Sequence, residues 1–325
     1  MTDRKPRVLA TRLFPEDVET RLSANFDARL NPDDKLYDGP SLAKAAEGFD
    51  GIMCAAGDAL NGATIEALPA SVRMIATFSV GYEHVDVAAA ARRNIVVSNT
   101  PDVLTDATAD VAMLCLLGAA RRAHEGTTML RTHSWIGWEP RQLMGVHVTG
   151  RRLGILGMGR IGQAMADRAR AFRMTIHYSN RTRLPADLEK GAVFHADPDD
   201  MLPHCDFLSI NAPLTPATRK WVNAERIARL PRGAVVINTA RGGVVDDEAL
   251  IAALKGGHLF AAGLDVFDGE PKIHPGYYEL QNAFLLPHMG SATVDTRNAM
   301  GFKALDNLEA FLLRGQTPPD LVKPS

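Results

Sequence analysis

The 325-residue chain has little cysteine: only Cys54, Cys115 and Cys205, with no C-x-x-C pair among them. Three scattered thiols exclude a disulfide framework and offer no metal or redox pattern of the paired kind. They read as buried free thiols in a reducing cytosol. Charge of one sign is also missing. Lys and Arg total 36 against 38 Asp and Glu, a formal net charge of −2, and no dense Lys/Arg stripe is present. Nucleic acid is therefore not an expected partner. No apolar run approaches the roughly 18 uncharged residues of a membrane span, so no membrane partner is expected. The opening Met1-Thr2-Asp3-Arg4-Lys5-Pro6 leads into no apolar core of the signal-peptide kind, and a cytoplasmic location is the expectation. Internal repeats and low-complexity tracts are lacking too, which excludes a solenoid.

What remains is the composition of a soluble globular protein, 46% hydrophobic and 23% charged. The length suits two ordinary domains. In the first hundred residues, Arg7 to Ala10, Gly51 to Ala55, Met74 to Phe78 and Ile95 to Ser98 read as parallel strands. Polar and alanine-rich stretches between them supply the crossovers of a small α/β unit. Asn99-Thr100-Pro101 breaks that pattern, and a helix is expected from Asp106 to Arg122 with an apolar face through Val111, Leu114, Cys115 and Gly118. A polar loop bearing Trp135 and Trp138 follows, from Thr132 to Gly145. Beyond it, six strands with helices between them suggest a doubly wound sheet: Arg152–Leu156, Thr175–Ser179, Asp206–Ile210, Ala234–Asn238, Phe260–Val266 and Ala283–Leu286. A final helix is expected over Asp295 to Leu313, after this unit.

The first of those six strands runs into Gly157-Met158-Gly159-Arg160-Ile161-Gly162 and then a helix-like stretch, Gln163 to Phe172. Glycines at that spacing, between a strand and a helix, let a dinucleotide pyrophosphate approach the backbone at a helix N-terminus. Gly157, Gly159, Arg160, Ile161 and Gly162 are thus candidate cofactor residues. The next strand ends at Asn180-Arg181-Thr182, where an NAD site usually carries an acid for the ribose 2′-hydroxyl. Here the acid is missing and an arginine stands by, which suits a 2′-phosphate. NADP(H) is the preferred cofactor on this reading, with NAD(H) possible.

Three later segments carry chemistry. Val236-Ile237-Asn238-Thr239-Ala240-Arg241-Gly242-Gly243 ends a strand in an arginine, at the sheet edge where ligands sit. A guanidinium there can grip a carboxylate with two parallel hydrogen bonds. Gly263-Leu264-Asp265-Val266-Phe267-Asp268-Gly269-Glu270-Pro271 follows. Then Leu285-Leu286-Pro287-His288-Met289-Gly290-Ser291-Ala292-Thr293 puts a histidine at a strand end before small residues that permit close approach. His84, His274 and His288 have no ligand spacing between them, so no metal is expected.

With Phe78-Ser79-Val80-Gly81-Tyr82-Glu83-His84-Val85-Asp86, these ordered segments make the chain resemble the D-isomer-specific 2-hydroxyacid dehydrogenases over nearly its whole length. Asn180-Arg181-Thr182-Arg183 draws it toward the glyoxylate/hydroxypyruvate reductases of that family. The resemblance implies an α/β architecture of two doubly wound parallel-sheet domains. A Rossmann cofactor domain, residues 101–294, would be inserted in a flavodoxin-like substrate domain made of residues 1–100 and 295–325. It implies that Arg241 orients a keto acid, His288 delivers the proton and Glu270 hydrogen-bonds His288. Ala212, Pro213, Thr218, Thr239, Ala240, Asp265 and Gly290 would line the cofactor, Asp265 beside the nicotinamide. Val80 and Gly81 would receive the substrate carboxylate on their N–H groups, with Ser291 also at the substrate.

The implied reaction is NADPH-dependent reduction of small 2-oxo acids, glyoxylate and hydroxypyruvate first, to glycolate and D-glycerate. A homodimer is expected, and Trp135 and Trp138 divide between packing or dimer contact and a substrate role. The other readings are a phosphoglycerate dehydrogenase or other NAD-dependent D-2-hydroxyacid dehydrogenase, a formate dehydrogenase, whose pattern pairs the histidine with glutamine, and a non-enzymatic NAD(H)-sensing corepressor. Fold alone does not separate enzyme from sensor.

Overall fold

The computed structural model describes residues 4–324. Met1 to Asp3, part of the stretch read for a leader, and Ser325, at the close of the expected substrate domain, lie outside the described residues. The chain divides into two compact units. One combines the residues up to Leu104 with those from Ala292 onward; the other is Thr105–Ser291.

The first unit holds a five-stranded parallel sheet of β1 (Arg7–Ala10), β2 (Asp27–Arg29), β3 (Gly51–Cys54), β4 (Met74–Thr77) and β5 (Val96–Ser98), in the order β2-β1-β3-β4-β5. That is the flavodoxin-like order. Every residue of β3 and β4 is buried, as in a parallel strand covered on both faces. The edge strand β2, Asp-Ala-Arg, has no apolar signature; it forms because it pairs with β1, where Asp27 lies opposite Arg7 and also accepts from its guanidinium at 3.1 Å. The helix Val294–Leu308 brings Ala304, Leu305 and Leu308 into one apolar cluster with Val18, Leu22, Met53 and Met74. Thus the two ends of the chain share this unit's core.

The second unit holds seven parallel strands: β6 (Arg152–Leu156), β7 (Thr175–Ser179), β8 (Val193–Phe194), β9 (Phe207–Ile210), β10 (Val235–Asn238), β11 (Ala261–Leu264) and β12 (Ala283–Leu285). Their order is β12-β11-β10-β9-β6-β7-β8, a doubly wound sheet whose order reverses between β6 and β9. The sheet has one strand more than the six read from the sequence. The addition, β8, is a two-residue edge strand held by pairing with β7 and too short to show a period. One face packs Leu153, Ile155 and Ile237 against Leu116, Met165 and Ala166; the other packs Leu208, Ile210 and Val236 against Leu250 and Leu254.

The helix expected over 106–122 spans Thr105–Ala120, and Arg122, in the left-handed region at φ 54°, turns the chain into a second helix, Ala123–Arg131. Leu114, assigned above to the apolar face, is 43% exposed. This helix is apolar nearly all round, so spacing alone could not choose its buried side. Among the described residues no helix is long and apolar enough to cross a membrane.

Candidate active site

The glycine turn follows β6. Gly157 sits at φ +89°, and a Cβ on it would lie 2.7 Å from the Ala212 nitrogen just past β9. A Cβ on Gly162 would lie 2.6 Å from the Gly157 carbonyl oxygen. Neither position tolerates a side chain without moving backbone. Gly159 differs: a Cβ there would meet nothing within 4 Å, and the residue directly precedes the helix Arg160–Ala171. The unpaired N–H groups of such a helix's first turn favour an anion.

At the end of β7, Asn180 folds back onto that turn. Its Oδ1 accepts from the Met158 N–H at 2.6 Å, and its Nδ2 donates to the Met158 carbonyl at 3.4 Å. Arg181 and Thr182 are exposed, and Arg181 has no hydrogen-bond or ion-pair partner among the described residues. Arg183 is engaged: it grips Glu189 at 2.8 and 3.0 Å, and Glu189 also accepts from Tyr178 at 2.6 Å. Arg181 is thus the arginine of this strand end that has no such partner among the described residues.

The segment after β9 is a closed turn. Thr218 donates to the Pro213 carbonyl at 2.6 Å and accepts from the Thr215 N–H at 2.7 Å, while Ala212 abuts Gly157. Two buried polar atoms at the ends of β9 and β10, Asn211 Oδ1 and Thr239 Oγ1, have no partner among the described residues. A side-chain-free cradle, a helix N-terminus and uncompensated buried polar atoms at neighbouring strand ends together fit a bound dinucleotide.

Beyond β10, Asn238 shapes the next turn, accepting from the Ala240 N–H and donating to the Arg241 carbonyl, both at 3.0 Å. Gly242 leaves no room for a side chain against the Phe267 backbone, so the segments carrying Arg241 and Phe267 pack main chain to main chain. Arg241 Nη1 donates to the Ala240 carbonyl at 2.8 Å.

His288 follows β12 in the left-handed region, at φ 52°. Asp265, after β11, holds that conformation. Its carbonyl accepts from the His288 N–H, and its two carboxylate oxygens accept from the Met289 and Gly290 N–H groups, each at 2.8 Å. The Gly290 carbonyl in turn accepts from Thr108 at 3.2 Å. The Asp265 carboxylate is thus committed to the backbone of the histidine turn. Burial pushes its pKa up.

Glu270 stands with Oε2 at 2.7 Å from His288 Nδ1, while its Oε1 accepts from the Phe267 N–H at 2.6 Å. That hydrogen bond and the charge of Glu270 raise the His288 pKa above its usual value, against partial burial and the Arg241 cation. For Glu270, burial works toward the neutral form, yet the hydrogen bond and charge of His288 leave its pKa below the ordinary carboxylate range. With Nδ1 turned to the carboxylate, Nε2 is the ring nitrogen able to serve a second partner.

In the other unit, Val80 and Gly81 follow β4. Their carbonyls are tied, to Asn99 Nδ2 at 2.8 Å and Ser79 Oγ at 2.6 Å, and neither N–H has a partner among the described residues. Ser291 is half-buried at the end of the second unit. Trp135, Ile136 and Trp138 are 51%, 92% and 79% exposed, an apolar patch on the loop following Ala123–Arg131.

So the structure joins Glu270 to His288 directly, sets Arg241 where its charge acts on both, and collects the glycine turn, Asn180, Ala212 and Thr239 on neighbouring strand ends. Sequence reading overlooked Asn211 and Asn238. The available signal was their place as polar residues at strand carboxyl ends.

Fold and site together define a nicotinamide-dinucleotide-dependent oxidoreductase. Residues 113–290 match the model of the D-isomer specific 2-hydroxyacid dehydrogenase NAD binding domain. A glycerate dehydrogenase of Hyphomicrobium methylovorum is 42% identical over 309 residues, 94% of this chain and 96% of its own. A glyoxylate reductase of Thermococcus kodakarensis is 41% identical, covering 98% and 96%. The crystal structure of an NADPH-dependent glyoxylate/hydroxypyruvate reductase from Sinorhizobium meliloti, in complex with NADP and malonate, is similar with a TM-score of 0.88 at 36% identity over 98% and 97% of the two chains. The chain belongs to the D-isomer-specific 2-hydroxyacid dehydrogenase family.

Proposed function

We propose that this protein reduces small 2-oxo acids, glyoxylate and hydroxypyruvate first, to glycolate and D-glycerate, with NADPH preferred over NADH. The observation that carries this reading is the 2.7 Å pairing of Glu270 with His288 beside Arg241, in the unit that bears the glycine turn. The names of the relatives, a glycerate dehydrogenase and glyoxylate reductases, support the substrate class. The lack of an acid after β7 and the unpaired, exposed Arg181 support the 2′-phosphate.

When bound, the nicotinamide supplies the hydride. Gly157, Gly159, Gly162 and the N–H groups opening Arg160–Ala171 would hold the pyrophosphate, and Arg181 the 2′-phosphate, with Thr182 beside it. Arg241 orients the oxo acid and offsets the negative charge that gathers on the carbonyl oxygen. His288 gives its Nε2 proton to that oxygen as the alkoxide forms. Glu270 keeps the ring charged and aimed. Asp265 fixes the turn from which the imidazole projects, and acts through it. The Val80 and Gly81 N–H groups, without partners among the described residues, suit the substrate carboxylate.

A homodimer, with the exposed Trp135, Ile136 and Trp138 covered by the second copy, and a cytoplasmic location complete the proposal. Absorbance at 340 nm, followed with glyoxylate and hydroxypyruvate against matched NADPH and NADH, tests it. Fast turnover with NADPH and slower turnover with NADH is expected. Nucleotide binding without turnover of any 2-oxo acid would replace the enzyme with a sensor.

A further inference from the structure

We infer that Asn211 binds the dinucleotide directly, its side-chain oxygen accepting a hydrogen bond from a ribose hydroxyl next to the pyrophosphate. Asn211 directly follows β9, at the point where the strand order of the second unit reverses. Ligands of doubly wound sheets bind in the crevice at that point. The residue also sits against the glycine turn: a Cβ on Gly157 would lie 3.0 Å from the Asn211 carbonyl carbon and 2.7 Å from the Ala212 nitrogen.

The backbone of Asn211 is fixed, its N–H donating to the Leu156 carbonyl at 2.8 Å. One end of its side chain is committed as well, since Nδ2 donates to Ser209 Oγ at 3.0 Å. Ser209 and Asn211 are two residues apart and lie on the same side of the strand line. The other end, Oδ1, is buried and has no partner among the described residues. A buried amide oxygen left alone is costly, so it calls for a donor from outside the chain.

The chemistry of that donor follows from the neighbours. Phosphate oxygens accept and would be repelled by an amide oxygen. The two riboses are bonded to the pyrophosphate and carry the nearest hydroxyl donors. Asn211 is therefore a residue of the sugar beside the glycine turn, common to NADPH and NADH, and has no part in choosing between them. Arg181 and Asn211 thus divide the work: one selects the cofactor, the other holds whichever cofactor is bound.

The inference rests on dinucleotide binding at this turn, and the test separates the two. NADPH and NADH are titrated into wild type, Asn211→Leu and Asn211→Asp without oxo acid, following nucleotide fluorescence, with thermal melting as a check on folding. Asn211→Leu should weaken both nucleotides about tenfold, and Asn211→Asp, which keeps an accepting oxygen, by no more than about threefold. In parallel, analogues each lacking one ribose hydroxyl are bound to wild type. One of them should lose about tenfold, and Asn211→Leu should bind that analogue as it binds the parent nucleotide.

Wild-type affinity in Asn211→Leu would overturn the inference. So would a greater loss in Asn211→Asp than in Asn211→Leu, because it would place a phosphate at this atom. If no single-hydroxyl analogue loses affinity for wild type, the ribose contact is overturned without recourse to any variant. Failure of wild type to bind either nucleotide would overturn the dinucleotide reading itself and the inference with it.

Discussion

Glu270 Oε2 stands 2.7 Å from His288 Nδ1, and the second oxygen of the same carboxylate is pinned by the Phe267 N–H. Two independent anchors fix the acid, so it in turn fixes both the orientation of the imidazole and its charge. Replacing it with glutamine keeps the shape and removes the charge. The His288 pKa is raised in the folded protein, and with His288 as the proposed proton donor reduction needs the protonated ring. Activity therefore holds at low pH and falls as pH rises through that pKa. In Glu270→Gln the falling limb of kcat/KM should move to lower pH by about one unit, with a loss of up to about tenfold at pH 8. An unmoved limb would separate Glu270 from the proton donor.

Arg181→Ala should weaken NADPH by about 10- to 100-fold, the worth of one charge-assisted hydrogen bond of about 1.5–3 kcal/mol, and leave NADH within about threefold. Steady-state KM values for both nucleotides check this. An equal loss for both would show that Arg181 does not meet the 2′-phosphate.

Two glycines of the turn, Gly159 and Gly162, should fail in different ways. The Cβ of a valine at 159 meets nothing within 4 Å, whereas at 162 it drives into the Gly157 carbonyl. Gly159→Val should melt within a few degrees of wild type yet lose nucleotide binding, because the side chain fills the space in front of the helix. Gly162→Val should lower the melting temperature as well. Calorimetry beside a nucleotide titration distinguishes them, and unimpaired binding by Gly159→Val would remove the pyrophosphate from that position.

A cluster of three histidines lies elsewhere in the second unit. His177 on β7 stacks on His204 at 5.2 Å, and its Nδ1 is 3.0 Å from His195 Nε2. Burial, then the neighbouring His195, His204 and Arg152, lower the His177 pKa to about 4, with Asp206 opposing. Because this folded-state value is below the unfolded one, the unfolded chain binds the extra proton first. The stability that the neutral ring retains above about pH 6.5 is lost as pH falls toward 4, by at most about 3 kcal/mol. Melting temperatures from pH 7 to 5 should therefore decline less in His177→Gln than in wild type. Parallel curves would show that His177 is not the group being titrated.

The α/β character was legible from short apolar runs between helix-like segments, and the dinucleotide turn from glycine spacing between a strand and a helix. Arg241 and His288 could be picked out because each stands beside a strand end, and Glu270 through the ordered segments that carry the family resemblance. β8 was not legible, since two residues such as Val193 and Phe194 have no period until β7 offers them hydrogen bonds. Nor was the exposure of Leu114, which depends on which side of an all-round apolar helix meets a neighbour.

By itself the sequence determined where backbone must come close, because glycine is required wherever a Cβ would collide, and which charges could serve a 2-oxo acid. Tertiary structure alone decided which polar atoms are spent and which are left over. Asn180 turns to Met158, Arg183 to Glu189 and Asp265 to the histidine turn, while among the described residues Arg181 and the oxygen of Asn211 find no partner. The reason is physical: a hydrogen bond is a pairing between distant parts of the chain, and whether a side chain still has one to offer is known only when its neighbours are in place.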